Sequence, residues 1–171
     1  NSEQFLRTQL MVGFNRRFSS LSTELKKQIG SGTMSILYRI NAGHIPGDTW
    51  VQDMEIGGGR IIGEACHFID YLTWLNGSFP VSVFASALPD SGGRNDTVNI
   101  NIENGSTGVI AYYANGPRSM PKEYIEVFHN GSSGVINNFK ELSLFGKSKR
   151  KKKLLNLDKG QKAMVKQFLN S

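Results

Sequence analysis

From Pro80 onward the chain reads as a succession of short alternating strands, and this pattern limits its possible folds more than any other feature. Over residues 96–103, Val98, Ile100 and Ile102 fall on one side and Thr97, Asn99 and Asn101 on the other, the period of two expected of a strand with one buried face. Asn104-Gly105 is a hairpin-turn dipeptide leading into a second strand around 109–113. The segment VSVFASAL before this hairpin continues the meander, as do 124–129, the Asn130-Gly131 turn, Val135-Ile136, 142–145 and 149–155 after it.

A sheet of this kind needs cover on its apolar side. Leu21, Leu25 and Ile29 recur at four-residue spacing within a helix over 20–29, and Gly30 supplies its stop. A second helix opens at Gly57-Gly58-Gly59, runs to about Leu75 and closes at Asn76-Gly77. A third begins near Lys159 and turns Met164, Val165, Phe168 and Leu169 inward. Upstream strands are expected at 12–14 and at 33–41, the latter with Met34, Ile36, Tyr38 and Ile40 on one face and Ser35, Leu37, Arg39 and Asn41 on the other. The expected fold is α+β, an open, largely antiparallel β-sheet with helices packed on one face. Residues 12–171 form a single domain in this reading, and residues 1–11 a linker from a preceding region.

The 171 residues, 39% hydrophobic and 20% charged, suit one globular domain with its own core. No apolar run reaches the roughly 18 residues of a membrane helix, so no membrane association is expected. The opening NSEQFLRTQL has neither an initiator Met nor a signal-peptide layout, and is read as a cut inside a longer protein. One cysteine, Cys66, excludes an internal disulfide and suits a reducing compartment, with the cytoplasm as the expected location. The net charge of +6 traces to Lys147, Lys149, Arg150, Lys151, Lys152 and Lys153, six cations in seven residues. With no interleaved aromatic, this run reads as a lysine-protected edge hairpin, and nucleic acid is not an expected partner.

The sequence has no dinucleotide fingerprint, P-loop, zinc-protease motif or nucleophile elbow. Its chemistry concentrates in GGGRIIGEACHFID, residues 57–70. A helical wheel puts Ile62, Ala65, Cys66, Ile69, Leu72 and Thr73 on one side, and Arg60, Gly63, Glu64, His67, Asp70 and Tyr71 on the other. Glu64 and His67, three residues apart, then reach the same bound molecule, and a carboxylate beside an imidazole holds its tautomer and raises its basicity. The competing reading is a surface histidine in a salt-bridged helix. Gly58, Gly59 and Arg60, at a helix start, are possible neighbours of an anionic cofactor group; otherwise the glycines shape the loop. Arg39 and Asn41, with His44 and Trp50 in the following loop, supply hydrogen bonds and a stacking ring for a sugar, and Arg16 a cation for an anionic group. An exposed strand face and a loop-anchoring Trp explain the first four equally well, and pairing with a core acid explains Arg16. Lys122 is expected to face solvent, Cys66 to be a small core residue and His129 to be exposed.

The run GGGRIIGEACHFID, the upstream MVGFNRRFSS, the intervening Trp50-x-x-Asp53 and the downstream KEYIEVFHNGSSGVI together resemble the C-terminal domain of the glucose-fructose oxidoreductase, inositol dehydrogenase and MocA (Gfo/Idh/MocA) family. Its signature is G-G-G, three residues, D, three residues, H, two residues, D. The resemblance runs from about Val12 to Phe139. It implies a glyceraldehyde-3-phosphate dehydrogenase-like C-terminal domain and a Rossmann domain, outside this chain, that binds NAD or NADP. It further implies a hydride taken from a hydroxyl of a sugar, cyclitol or nucleotide sugar, and homo-oligomers formed through the sheet face. His67 matches the histidine that handles the hydroxyl proton, a lysine of the Rossmann domain completes the set, and Asp70 matches the final acid, a supporting residue. The YRINAGHIP and WVQD segments resemble a subgroup frequent in bacterial polysaccharide and nucleotide-sugar metabolism, in which this domain ends a longer protein. The chain departs from the signature at Gly63, where the family has Asp; Glu64 is the candidate substitute. That departure motivates an alternative, a non-catalytic ligand-binding or assembly module that retains the fold.

Overall fold

The computed structural model describes residues 10–89, 96–103 and 105–170. The linker expectation for residues 1–9 and the turn position of Asn104 lie outside them. Eight strands, β1 (Ser35–Asn41), β2 (Ser82–Leu88), β3 (Thr97–Glu103), β4 (Thr107–Tyr113), β5 (Glu123–His129), β6 (Ser132–Asn137), β7 (Glu141–Phe145) and β8 (Arg150–Lys153), form one open sheet. Its order is β2-β3-β4-β1-β5-β6-β7-β8. Among the described residues only the central β1–β4 pair is parallel; the others run antiparallel, in keeping with the expected α+β class. Among the described residues, no helix is long and apolar enough to cross a membrane.

Alternation sets which sheet face is covered. Ile36, Tyr38 and Ile40 of β1 are buried and lie level with Ile110 and Tyr112 of β4 and with Ile125 and Val127 of β5. On this face α1 (Ser20–Ile29) covers β5 to β7 and α2 (Cys66–Asn76) covers β4. Two glycines permit the close approach: a β-carbon on Gly108 would run into Leu72, and one on Gly134 into Leu25. Truncating either leucine to Ala removes a fully buried side chain, a change worth about 2–5 kcal/mol. Gly30 and Gly77, both at positive φ, stop the two helices and return their N–H groups to Lys26 O and Thr73 O.

The structure corrects three expectations about elements. Residues 12–14 form no strand; the chain there leads into a 3-10 turn, Asn15–Phe18. Of the apolar residues expected inward on α3 (Gln161–Leu169), Val165 and Leu169 are exposed, because α3 packs on the 3-10 turn rather than on the sheet. Within the second helix, Tyr71 is fully buried and Ile62 is 69% exposed, the reverse of the wheel. A π turn, Ile61–Ala65, precedes α2, and its wider winding rotates every later residue relative to a regular helix. The cationic run ends in edge strand β8, where Lys152 pairs with Glu24, Lys151 with Glu141, and Arg150 donates to Gln28.

Candidate active site

The segment opening α2 meets the end of the sheet where β1 and β4 finish and β5 begins. Gly58 and Gly59 adopt φ of +69° and +74°, left-handed backbone that glycine accepts without a Cβ penalty. A β-carbon on Gly57 would collide with the Trp50 backbone oxygen. Arg60, only 1% exposed, anchors the turn from inside. Its Nη1 donates to Gly43 O at 2.6 Å and its Nη2 to Ala42 O at 3.3 Å, while the guanidinium lies 5.3 Å from the Tyr112 ring centre. This corrects the reading of Arg60 as a cofactor neighbour, since the side chain is buried, with both Nη groups on backbone carbonyls and its Nε closed off from solvent. Gly58 and Gly59 are placed as loop-shaping residues.

Glu64 collects three partners. Tyr112 Oη donates to its Oε2 at 2.6 Å, Lys122 Nζ donates to its Oε1, and Arg60 Nη2 stands 3.6 Å from Oε2. Burial alone would raise the Glu64 pKa, but the hydrogen bonds from Lys122 and Tyr112 and the charges of Lys122 and Arg60 outweigh it and hold the carboxyl below its ordinary range. Burial and the bond to this carboxylate push the Tyr112 hydroxyl far up, so it stays a donor. Lys122 is therefore not the free surface lysine expected from its position before Glu123. Gly63 is exposed, so the acid that reaches the site comes from position 64.

His67 follows on the first turn of α2, half-buried, with its ring edge-on to Phe14 at 5.6 Å between centres. Burial lowers its pKa below the usual histidine value. The Arg16 cation lowers it further, against the opposing charges of Glu64, Asp70 and Glu123. Its Nδ1 is closed to solvent and has no hydrogen-bond partner among the described residues. Both Glu64 oxygens face other groups, so Glu64 acts on His67 through charge rather than as the tautomer-holding partner expected from their spacing. The lowered pKa biases the imidazole toward its neutral form, which can accept a proton; with Nδ1 closed off, exchange with a ligand falls to Nε2.

Arg16 is 7% exposed and sits in the core, which corrects its candidacy for substrate contact. Its Nε donates to Glu123 Oε2 at 2.6 Å and its Nη2 to Oε1 at 3.2 Å. Tyr38 Oη and Lys159 Nζ also donate to this carboxylate. Burial opposes ionisation, but Arg16 and Lys159 prevail and hold the Glu123 carboxyl down at about 2. Arg17 forms a two-pronged pair with Asp70, tying the 3-10 turn to α2.

The remaining candidates divide by exposure. Asn41 is buried, and its Nδ2 donates to Pro117 O at 2.8 Å and Met120 O at 3.2 Å, so it braces a loop instead of presenting to a ligand. Arg39 lies on the uncovered sheet face, bonded to Pro121 O at 2.8 Å and stacked 5.6 Å from the Tyr124 ring centre. His44 is exposed, as is Trp50 at 68%. Cys66 is half-buried and lines a concavity of about 630 Å³ with Phe14, Ile69 and Trp74. His129, half-buried, has its Nδ1 2.7 Å from Thr33 O. Sequence reasoning missed Lys122, Tyr112 and Glu123. For Glu123 a signal existed: it falls in alternation with Ile125 and Val127, an acid at a core position.

Fold and site together define an open-sheet α+β domain with acid–base side chains on a helix at one sheet end. The chain belongs to the oxidoreductase family, C-terminal alpha/beta domain (Gfo/Idh/MocA), whose model matches residues 27–168. It is similar in structure to UDP-N-acetylglucosamine 3-dehydrogenase GnnA from Acidithiobacillus ferrooxidans at 18% identity and a TM-score of 0.76, covering 94% of this chain and 51% of that one. The aldose-aldose oxidoreductase from Caulobacter crescentus, complexed with glycerol, is similar at 18% identity and a TM-score of 0.75, with 94% and 52% covered. A levoglucosan dehydrogenase in complex with NADH and levoglucosan is similar at 22% identity and a TM-score of 0.69, with 88% and 49% covered. At these identities the likeness shows a shared fold, and the chain spans about half the length of these structures. No curated protein matches the chain.

Proposed function

We propose that this chain is the substrate-side domain of an NAD(P)-dependent oxidoreductase that acts on a hydroxyl of a sugar, cyclitol or nucleotide sugar, with His67 receiving the hydroxyl proton. One observation carries the reading: in a chain of an oxidoreductase family, burial and Arg16 bias a helix-borne histidine toward its neutral form, beside an acid already held by cations. Glu64 sets the local charge and holds Lys122 at the site. His44 and Trp50, exposed beside this end of the sheet, are the candidates for contact with the sugar, and Arg39 for its outer edge.

A nicotinamide cofactor would supply the hydride acceptor. The residues present here do not fit as its holder, because Arg60, the cation beside the glycine run, is buried with both Nη groups on the carbonyls of Ala42 and Gly43. The proposal therefore assigns dinucleotide binding, and a second proton-handling lysine, to a Rossmann domain outside this chain. NADH in the levoglucosan dehydrogenase complex supports the cofactor class. The uncovered sheet face, with Phe84, Phe128 and Phe145 partly exposed on it, is the surface proposed for homo-oligomer contact, and the cytoplasm the proposed location.

The test is turnover of the protein joined to its dinucleotide-binding domain, offered NAD or NADP and a panel of sugars and cyclitols, with reduced nicotinamide as the readout. Replacing His67 by Ala is expected to lower turnover by about 10²–10⁴-fold at an unchanged unfolding midpoint. Full activity in that variant would overturn the assignment. No turnover with any substrate class in the unaltered protein would favour the non-catalytic module, for which the Gly63 departure argues.

A further inference from the structure

The loop between β4 and β5 carries two cations to the same end of the sheet as His67, and it is braced there. Asn41 donates from Nδ2 to Pro117 O and Met120 O, and from its backbone N–H to Lys122 O at 2.7 Å. A turn bond from Met120 N–H to Pro117 O at 3.2 Å closes the stretch around Arg118. Arg118 packs over Gly43, where a β-carbon would stand 3.9 Å from its Cγ. The Gly43 carbonyl in turn accepts from Arg60, which faces Glu64, which accepts from Lys122. Arg118, Gly43, Arg60, Glu64 and Lys122 thus form one connected rim.

The charges on this rim do not balance. Arg60 and Lys122 oppose the single negative charge of Glu64, and Arg118 is exposed with no partner among the described residues. Glu123, the next acid along the chain, is closed off by Arg16 and Lys159. The Lys122 side chain is 38% exposed, and its ammonium keeps donors beyond the one given to Glu64. An ammonium held by Glu64 and an exposed guanidinium carried on the same braced loop, both with spare N–H donors, suit an oxyanion, to which charge-assisted hydrogen bonds are shorter and stronger than those to neutral hydroxyls.

We propose that Lys122 and Arg118 bind an oxyanion on the substrate, so that the sugar handled here is an acidic derivative carrying a carboxylate or a phosphate. Glu64 is the positioning residue that holds the Lys122 ammonium toward it. The inference rests on the preceding reading for the word substrate, but the anion site itself is read from this chain's own side chains.

Isothermal titration of the full chain with glucose, glucuronate and glucose 6-phosphate tests it. At least one charged probe is expected to bind about tenfold or more tightly than glucose; which one does so separates a carboxylate site from a phosphate site. Lys122→Met and Arg118→Met, each checked for an unchanged unfolding midpoint, are expected to remove that preference, and Lys122→Arg to restore part of it. Equal affinity for charged and neutral probes, or no binding of any, overturns the proposal. So does a preference lost on replacing Lys151 and Lys153 by Gln instead, which would place it on the β8 edge. An anion preference without hydride transfer in the complete protein sinks the oxidoreductase reading alone. Hydride transfer without the preference sinks this inference alone.

Discussion

Glu64 and Glu123 gather the same three kinds of partner and put them to different use. Each carboxylate accepts from a tyrosine hydroxyl and a lysine ammonium and faces an arginine: Tyr112, Lys122 and Arg60 for Glu64, Tyr38, Lys159 and Arg16 for Glu123. They differ in access to solvent. The Glu123 side chain is fully buried and its lysine 18% exposed, whereas Glu64 is 23% exposed and its lysine 38%. A closed ionic cluster fixes structure, because a buried charge that loses a partner has no water to turn to. An open one can exchange a partner for a ligand. The same chemistry thus serves as a rivet in one place and as part of a candidate site in the other.

Glu123→Gln is expected to have the largest effect on stability. It leaves Arg16 and Lys159 without their counter-charge in the core, at a cost of about 3–5 kcal/mol in chemical denaturation. Because its folded pKa is depressed, the stabilisation from Glu123 is complete above the ordinary value of 4.5 and is lost as pH falls from there toward about 2. An acid-unfolding curve should show that limb in the natural chain and not in the variant.

Gly160→Ala should come next. Gly160 follows Lys159 at φ +86°, and a β-carbon there would collide with the backbone of Asn15 and Ser19. The strain alone is worth about 1–3 kcal/mol, read as a lower unfolding midpoint. An unchanged midpoint would mean that the Lys159 side of the closed cluster is looser than described.

Glu64→Gln should cost least, about 1 kcal/mol, because water screens Glu64 and Lys122 and the amide keeps an acceptor for Tyr112, while the buried Arg60 retains its carbonyl partners. Its effect belongs in substrate affinity instead, through a released Lys122. If Glu64→Gln destabilised the chain as much as Glu123→Gln, the contrast between the two clusters would fail.

The fold was legible wherever a side-chain period met a turn signal. Alternation from Thr97 to Glu103 and four-residue spacing from Leu21 to Ile29 produced β3 and α1 with little error at their ends. Periodicity failed at the π turn, where added winding moved Tyr71 into the core and Ile62 out of it. It also failed at α3, whose apolar Val165 and Leu169 do not face the sheet. The family signature pointed to the segment that carries His67 and Glu64, but not to what Glu64 touches. Lys122 lies 58 residues away in the chain, and a side-chain pair at that separation leaves no trace in local spacing. Arg16 and Asn41 read as ligand-binding groups for the same reason, since the partners that occupy them, Glu123 and the loop at Pro117–Met120, are brought up only by folding.

The central claim is that His67 works as a proton acceptor held toward its neutral form. The most direct measurement is the pH dependence of kcat/KM for the protein joined to its dinucleotide-binding domain, compared with His67→Gln. With the folded pKa lowered, activity should rise with pH through a midpoint below about 6.5, the ordinary histidine value, and the variant should lose both that limb and most of the rate. An unchanged limb and rate in His67→Gln would contradict the account.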